Sequence, residues 1–251
     1  MCWLVQVFCP VLLLAPGAAA FAVIGTNSQK AFITYNVDPP SGISSSTAEC
    51  RLGCGDEQQI HGVGMVQNGV FYTLRNKLGL GIGKIIVHGF DLSSKKTVCE
   101  IKVPALAHFG DNFATGAYGL QVQSAPTASD SVVYVIGPTK SKPGTNGTEH
   151  ALVRVDISEK TADVVGRTVV LAPMASSSTF DNETGVFYFI YQRDEVSLGV
   201  RGMAVANGST VSDWPTDLYT IDFDPVTRKL IGLGLAFTDK GQFRTLRSLV
   251  D

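Results

Sequence analysis

The sequence is poor in the residues that most often announce chemistry. It holds 4 histidines, 5 cysteines and 2 tryptophans among 251 residues. No two histidines stand at the spacing that a metal site on one element requires, and His88 and His150 read as structural. A phosphate loop is missing as well. Gly79-Leu-Gly-Ile-Gly-Lys84 lacks the required spacing, and Ile85 stands where a magnesium-binding hydroxyl belongs. Ser176-Ser-Ser178 lacks the glycine-flanked setting of a hydrolase elbow. Nor is there an excess of one charge: 20 Lys and Arg face 22 Asp and Glu, a formal net charge of −2. That balance excludes the basic face that nucleic acid demands. After residue 20 no apolar run approaches the ~20 residues that a membrane span needs.

What the chain does have is a leader and a repeat. Residues 1–20 form an apolar stretch ending in Ala18-Ala19-Ala20, the core and small-residue exit of a secretory signal peptide without its usual positive start. Pro10, Pro16 and Gly17 interrupt it, which disfavours a membrane anchor. The expected compartment is therefore extracellular.

The repeat centres on Gly185-Val-Phe-Tyr-Phe-Ile-Tyr191, which matches Gly69-Val-Phe-Tyr-Thr-Leu74 and Ser131-Val-Val-Tyr-Val-Ile136. A run ending in aspartate follows each copy, at Asp91, Asp156 and Asp222, with Asp38 in the equivalent place near the amino terminus. A fourth run closes each unit, and a less regular one opens it. Runs rich in Val, Ile, Phe and Tyr between Gly, Asn, Asp and Pro read as short antiparallel strands. One small sheet cannot cover both its faces, so copies must stack. The terminal aspartates read as turn-fixing acceptors for amides two residues on. The recurring Phe71, Tyr72, Tyr134, Phe187, Tyr188 and Tyr219 read as packing between sheets.

These four-stranded, Tyr-containing units resemble the blades of β-propeller repeat proteins. They carry neither a Trp-Asp ending nor a kelch-type Gly-Gly pair, and their spacing exceeds the ~40–50 residues usual for those repeats. The resemblance is to an architecture and brings no functional residues with it. It implies an all-β, propeller-like array of about four four-stranded antiparallel blades in one domain, residues 21–251. The units span about 21–55, 60–104, 115–171 and 173–237, and the first lacks its first strand. Residues 241–251 either close the ring or begin a further blade.

Without the leader, three cysteines remain: Cys50, Cys54 and Cys99. Cys50 and Cys54 are placed to bridge a loop tightened by Gly53, a closure worth only about 2 kcal/mol in the chain-entropy account. Cys99 belongs to the next unit, beyond the ~4.4–6.8 Å Cα separation of a disulfide, and reads as a buried thiol. Asn146, Asn182 and Asn207 begin glycosylation sequons in expected loops.

The candidate ligand site is polar: His61, His108, Asp111 and Asn112 each lie near the start of a unit, where propeller connections converge on a central channel. No catalytic residue, metal set or cofactor is implied. Three readings follow. One is a secreted binding or scaffold module that presents loops to a protein or glycan partner, with no nucleic acid and no membrane span. The alternatives are a metal-dependent propeller hydrolase or lactonase with its site at the channel, and a fragment of a longer propeller.

Overall fold

A computed structural model describes residues 21–26, 31–38, 42–51, 58–77, 84–94, 96–106, 121–124, 131–139, 147–194, 197–224, 226–234 and 245–248. Cys54, His108, Asp111, Asn112 and Asn146 lie outside the described residues. The described chain is all strand and turn, in five antiparallel sheets. The first holds β1 (Phe21–Thr26), β2 (Ala31–Asp38) and β3 (Gly42–Arg51). The second holds β4 (Gln58–Gln67), β5 (Val70–Lys77), β6 (Lys84–Asp91) and β7 (Lys96–Lys102). The third holds β8 (Gln121–Ser124), β9 (Val132–Pro138), β10 (Thr148–Asp156) and β11 (Thr161–Val170). The fourth holds β12 (Ala172–Asp181), β13 (Val186–Gln192), β14 (Leu198–Ala204) and β15 (Thr210–Thr216). The fifth holds β16 (Leu218–Asp224), β17 (Lys229–Gly234) and β18 (Thr245–Ser248). Each sheet is a meander in sequence order.

The strand bookkeeping of the last unit differs from the sequence expectation. The repeat places the run ending at Asp222 in the sheet of Tyr188, whereas β16 opens a sheet of its own. The third and fourth strands beside Tyr188 are β14 and β15. Gly199, Gly202 and Pro215 thin the β signal of those two strands. The segment Thr245–Ser248 pairs with β17, as the third strand of the fifth sheet.

The second to fifth sheets pack face to face through alternating residues. On β9, Val133 and Val135 join Tyr72, Ile85, Val87 and Ile101 of the second sheet. Val132, Tyr134 and Ile136 of the same strand point the other way, against Phe180, Phe187 and Phe189 of the fourth sheet. On β13, Ile190 and the half-buried Tyr188 join Leu218, Ile221 and Leu230 of the fifth. Strands buried on both faces read as nearly continuous apolar runs, which explains VVYVI and VFYFI. Each buried Phe or Ile contributes about 1.5–3 kcal/mol.

The three repeated tyrosines therefore share one environment: each faces the following sheet. Tyr134 stacks on Phe180 with ring centroids 5.5 Å apart, and Tyr188 stacks on Phe223 at 6.3 Å. Two of them need a bare neighbour. Tyr188 lies across Gly202, where a Cβ would come within 2.7 Å of its ring, and Tyr72 lies across Gly89.

The first strands β4, β8, β12 and β16 lie alongside one another, so the meanders converge on their opening strands. At the far side, β7, β11 and β15 are the edges. Each carries one extra residue against its partner, namely Val98, Val165 and Val211. A bulge of this kind twists an edge and blunts its capacity to recruit another strand. Val98 and Val211 are half exposed, at 52% and 53%, as the unpaired member of a bulge is free to be.

Candidate functional site

The converging first strands are where the expected ligand site belongs. Of its four residues, His61 is described, and it lies within β4 opposite Leu74 rather than in the connection before it. Gln58, Gln59 and Ile60 extend the ladder with Lys77, Asn76 and Arg75, and this draws His61 into the strand. The ladder then breaks between His61 and Met65. His108, Asp111 and Asn112 lie outside the described residues.

The other charged and polar groups of the array fall into turns and clasps. Asp91 and Asp156 behave as their position in the repeat implies. Asp91 Oδ1 accepts from the Ser93 amide at 3.1 Å, the Ser93 hydroxyl at 2.8 Å and the Ser94 amide at 2.6 Å. Asp156 Oδ1 accepts the same trio from Ser158 and Glu159. The Ser94 amide, followed by the Ser93 hydroxyl, lowers the pKa of Asp91 to about 2. The Ser158 hydroxyl, followed by the Glu159 amide, does the same for Asp156. Asp38 closes β2.

Asp222 departs from this set. It sits inside β16, where its carboxylate accepts from the Thr179 hydroxyl of β12 at 2.9 Å and from the Phe223 amide. In the fourth sheet the corresponding turn is fixed by Asn207, whose Oδ1 accepts from the amide and hydroxyl of Ser209.

Two arginines clasp neighbouring sheets. Arg228 is the last residue of the β16–β17 turn and donates twice to Asp181 on β12, both at 2.9 Å, and once to Glu183 at 2.8 Å. Its guanidinium lies 5.1 Å from the Phe223 ring centroid. Burial resists ionisation of Asp181, but bonds from Thr184, Glu183 and Arg228 outweigh it and hold the pKa below the usual carboxylate range. Arg201 on β14 reaches the third sheet, donating to the Thr168 hydroxyl at 2.5 Å and the Val169 carbonyl at 3.1 Å. It also grips Asp213 on β15, at 2.6 and 3.1 Å. Tyr191 lies beneath it, its hydroxyl donating to Asp213 at 2.6 Å. Burial, then that bond to Asp213, pushes the Tyr191 pKa up.

Neither clasp was singled out from sequence. The available signal for Arg228 is positional, because the preceding sheet has Gly185 in the same turn slot. Both residues adopt the left-handed conformation, with φ of 59° and 66°, and each amide donates four residues back to the aspartate that opens its turn.

Chemically, these groups hold rather than react. Hydrogen bonds hold the carboxyls of Asp91, Asp156, Asp181 and Asp213 below the usual carboxylate range, and the arginines are committed to fixed acceptors, whereas a general acid or base needs a pKa near its working pH. His150 is buried, and its Nδ1–H donates to the Thr148 carbonyl at 2.9 Å, which leaves Nε2 without the proton. His88 is buried on β6, with Nε2 3.0 Å from the Thr97 hydroxyl. Cys99 is a buried free thiol. Cys50 pairs through its backbone with Phe32. Among the described residues, no three His, Cys, Asp or Glu side chains are grouped to hold a metal ion, and no helix is long and apolar enough to cross a membrane. Asn182 and Asn207 are exposed in turns.

No family model and no curated protein matches the chain. Solved structures do. TolB from Acinetobacter baumannii is 11% identical with a TM-score of 0.51, covering 91% of this chain and 51% of its own. Oligogalacturonate lyase from Vibrio parahaemolyticus is 10% identical with a TM-score of 0.46, covering 92% and 74%. The mitotic checkpoint complex contains a chain 10% identical with a TM-score of 0.47, also covering 92% and 74%. The likeness to TolB is one of fold, that of a β-propeller, and the chain spans about half of TolB's length.

Proposed function

We propose that the chain is a secreted β-propeller module that presents its loops to a protein or glycan partner, each sheet being one blade, five rather than about four. The observation that carries this reading is the commitment of Asp91 and Asp156 to turns, and of Arg201, Asp213, Arg228 and Asp181 to inter-sheet clasps. Such an array is stiff and leaves its turns and loops as the surface offered outward, the arrangement in which scaffolds carry recognition. The leader and the exposed sequons at Asn182 and Asn207 support the compartment. The test is expression of the full chain from its own leader in mammalian cells. The proposal expects protein in the medium that begins at Phe21 and binds an immobilised panel of extracellular glycans and receptor ectodomains saturably. Retention in the cytosol with Met1 intact, or no saturable binding, would refute it.

A second reading is a metal-dependent hydrolase or lactonase using His61, His108, Asp111 and Asn112. Its support is the placement of His61 on one of the four converging strands. Elemental analysis decides it: stoichiometric metal lost in His61→Ala supports this reading, and metal-free wild type removes it.

A further inference from the structure

We propose that Asn207 carries an N-linked glycan that leaves the β14–β15 turn intact, because the two atoms of its amide do separate jobs. The inference rests on the secretory reading above. The oxygen holds the turn: Asn207 Oδ1 accepts from the Ser209 amide at 3.0 Å and from the Ser209 hydroxyl at 2.8 Å. A backbone N–H can only donate, so the atom facing Ser209 is the oxygen, and this assigns the amide without ambiguity. The nitrogen is the other atom, on an exposed residue at the tip of the turn. The backbone beneath is fixed. The Gly208 amide donates to the Ala204 carbonyl at 2.7 Å, and Gly208, at φ 70°, packs backbone to backbone on Gly166 of β11.

Glycan transfer uses only the nitrogen. A bond forms between Asn207 Nδ2 and the anomeric carbon of the first sugar of a lipid-pyrophosphate-linked oligosaccharide. The carbon–oxygen bond to the pyrophosphate breaks, the pyrophosphate leaves with the electron pair, and the amide gives up one proton. Oδ1 keeps both bonds to Ser209. The neighbouring sheets support this division, since Asp91 and Asp156 fix their turns with an oxygen alone. Asn182 provides an internal comparison: it is exposed in the β12–β13 turn, at the same end of the same sheet.

The test uses the whole mature chain behind two leaders, its own first 20 residues and a foreign secretory leader. Site occupancy is read by peptide mass spectrometry and stability by thermal melting. With the foreign leader, glycan is expected on Asn207 and Asn182 in most molecules. Asn207→Asp should lose the glycan and keep the turn, melting with wild type. Asn207→Ala should lose both, lowering Tm by ~2–4 °C. Enzymatic release of the sugar leaves an aspartate, so released wild type should melt with N207D. The inference is overturned if Asn207 is bare behind the foreign leader, whether or not Asn182 is modified, or if N207D melts as low as N207A. Glycan on Asn207 behind the foreign leader alone supports the inference while the secretory reading fails.

Discussion

Arg228 is the sharpest place to perturb the packing, because two effects of opposite sign meet in one residue. Its φ of 59° is a left-handed conformation that suits glycine, and Gly185 holds the same place one sheet earlier. For a residue with a Cβ that conformation costs about 1 kcal/mol. Against the cost stands the pair of hydrogen bonds to Asp181, whose side chain is 4% exposed while that of Arg228 is 37% exposed. Breaking a buried pair costs about 3–5 kcal/mol when the remaining charge is stranded. Asp181 is not stranded, since it keeps the Glu183 amide at 3.0 Å and the Thr184 hydroxyl at 2.5 Å, and solvent screens the exposed guanidinium. About 2 kcal/mol is the appropriate size. Arg228→Ala loses the clasp and keeps the strain, a net loss of about 2 kcal/mol. Arg228→Gly loses the clasp and sheds the strain, a net loss of about 1 kcal/mol. At ~2–4 °C per kcal/mol for a domain of this size, Tm should fall by ~4–8 °C in R228A and ~2–4 °C in R228G. Melting curves of the purified variants, with D181N and the D181N/R228A double variant to extract the coupling, provide the assay. R228A melting with wild type, or R228A melting above R228G, would refute the reasoning.

Three further outcomes follow from the geometry. Gly202→Ala places a Cβ within 2.7 Å of the Tyr188 ring and should cost about 1–3 kcal/mol through overpacking, whereas Tyr188→Ala/Gly202→Ala should lose less than the two single losses combined, read by denaturant titration. Burial lowers the His150 pKa from 6.5 to about 4, so the unfolded chain binds the extra proton first. Stability is then full above about pH 6.5 and falls as pH drops toward about 4; His150→Gln should flatten that limb of the Tm–pH curve. The pKa of about 2 at Asp91 and Asp156 works in the other range, with stability present above the usual value of 3.8 and lost as pH falls through about 2. Asp156→Asn should remove part of that acid limb and leave the limb near neutrality unchanged.

The sequence disclosed what repeats and hid what joins. The Tyr-bearing strands were legible because strands covered on both faces must be apolar along their whole length, as in VVYVI and VFYFI. The Asp91 and Asp156 turns were legible because an aspartate followed two residues later by serine is a local device. β14 and β15 were missed because two glycines and a proline, present for packing and edge reasons, erased their local signal. That omission moved Asp222 into the wrong sheet. The clasps of Arg201 and Arg228 join residues 33 and 47 positions apart, and no local spacing encodes such a pairing. His61 falls within its strand because Gln58, Gln59 and Ile60 carry the ladder past it, and no local signal marks that extension.

From the second sheet to the fifth, successive sheets cover each other's apolar faces through the repeated tyrosines. Nuclear Overhauser spectra of the chain with labelled tyrosine and phenylalanine test this most directly. Cross-peaks are predicted between the rings of Tyr134 and Phe180, and between those of Tyr188 and Phe223. Tyrosine rings that show contacts only within their own sheet would contradict the packing and everything derived from it.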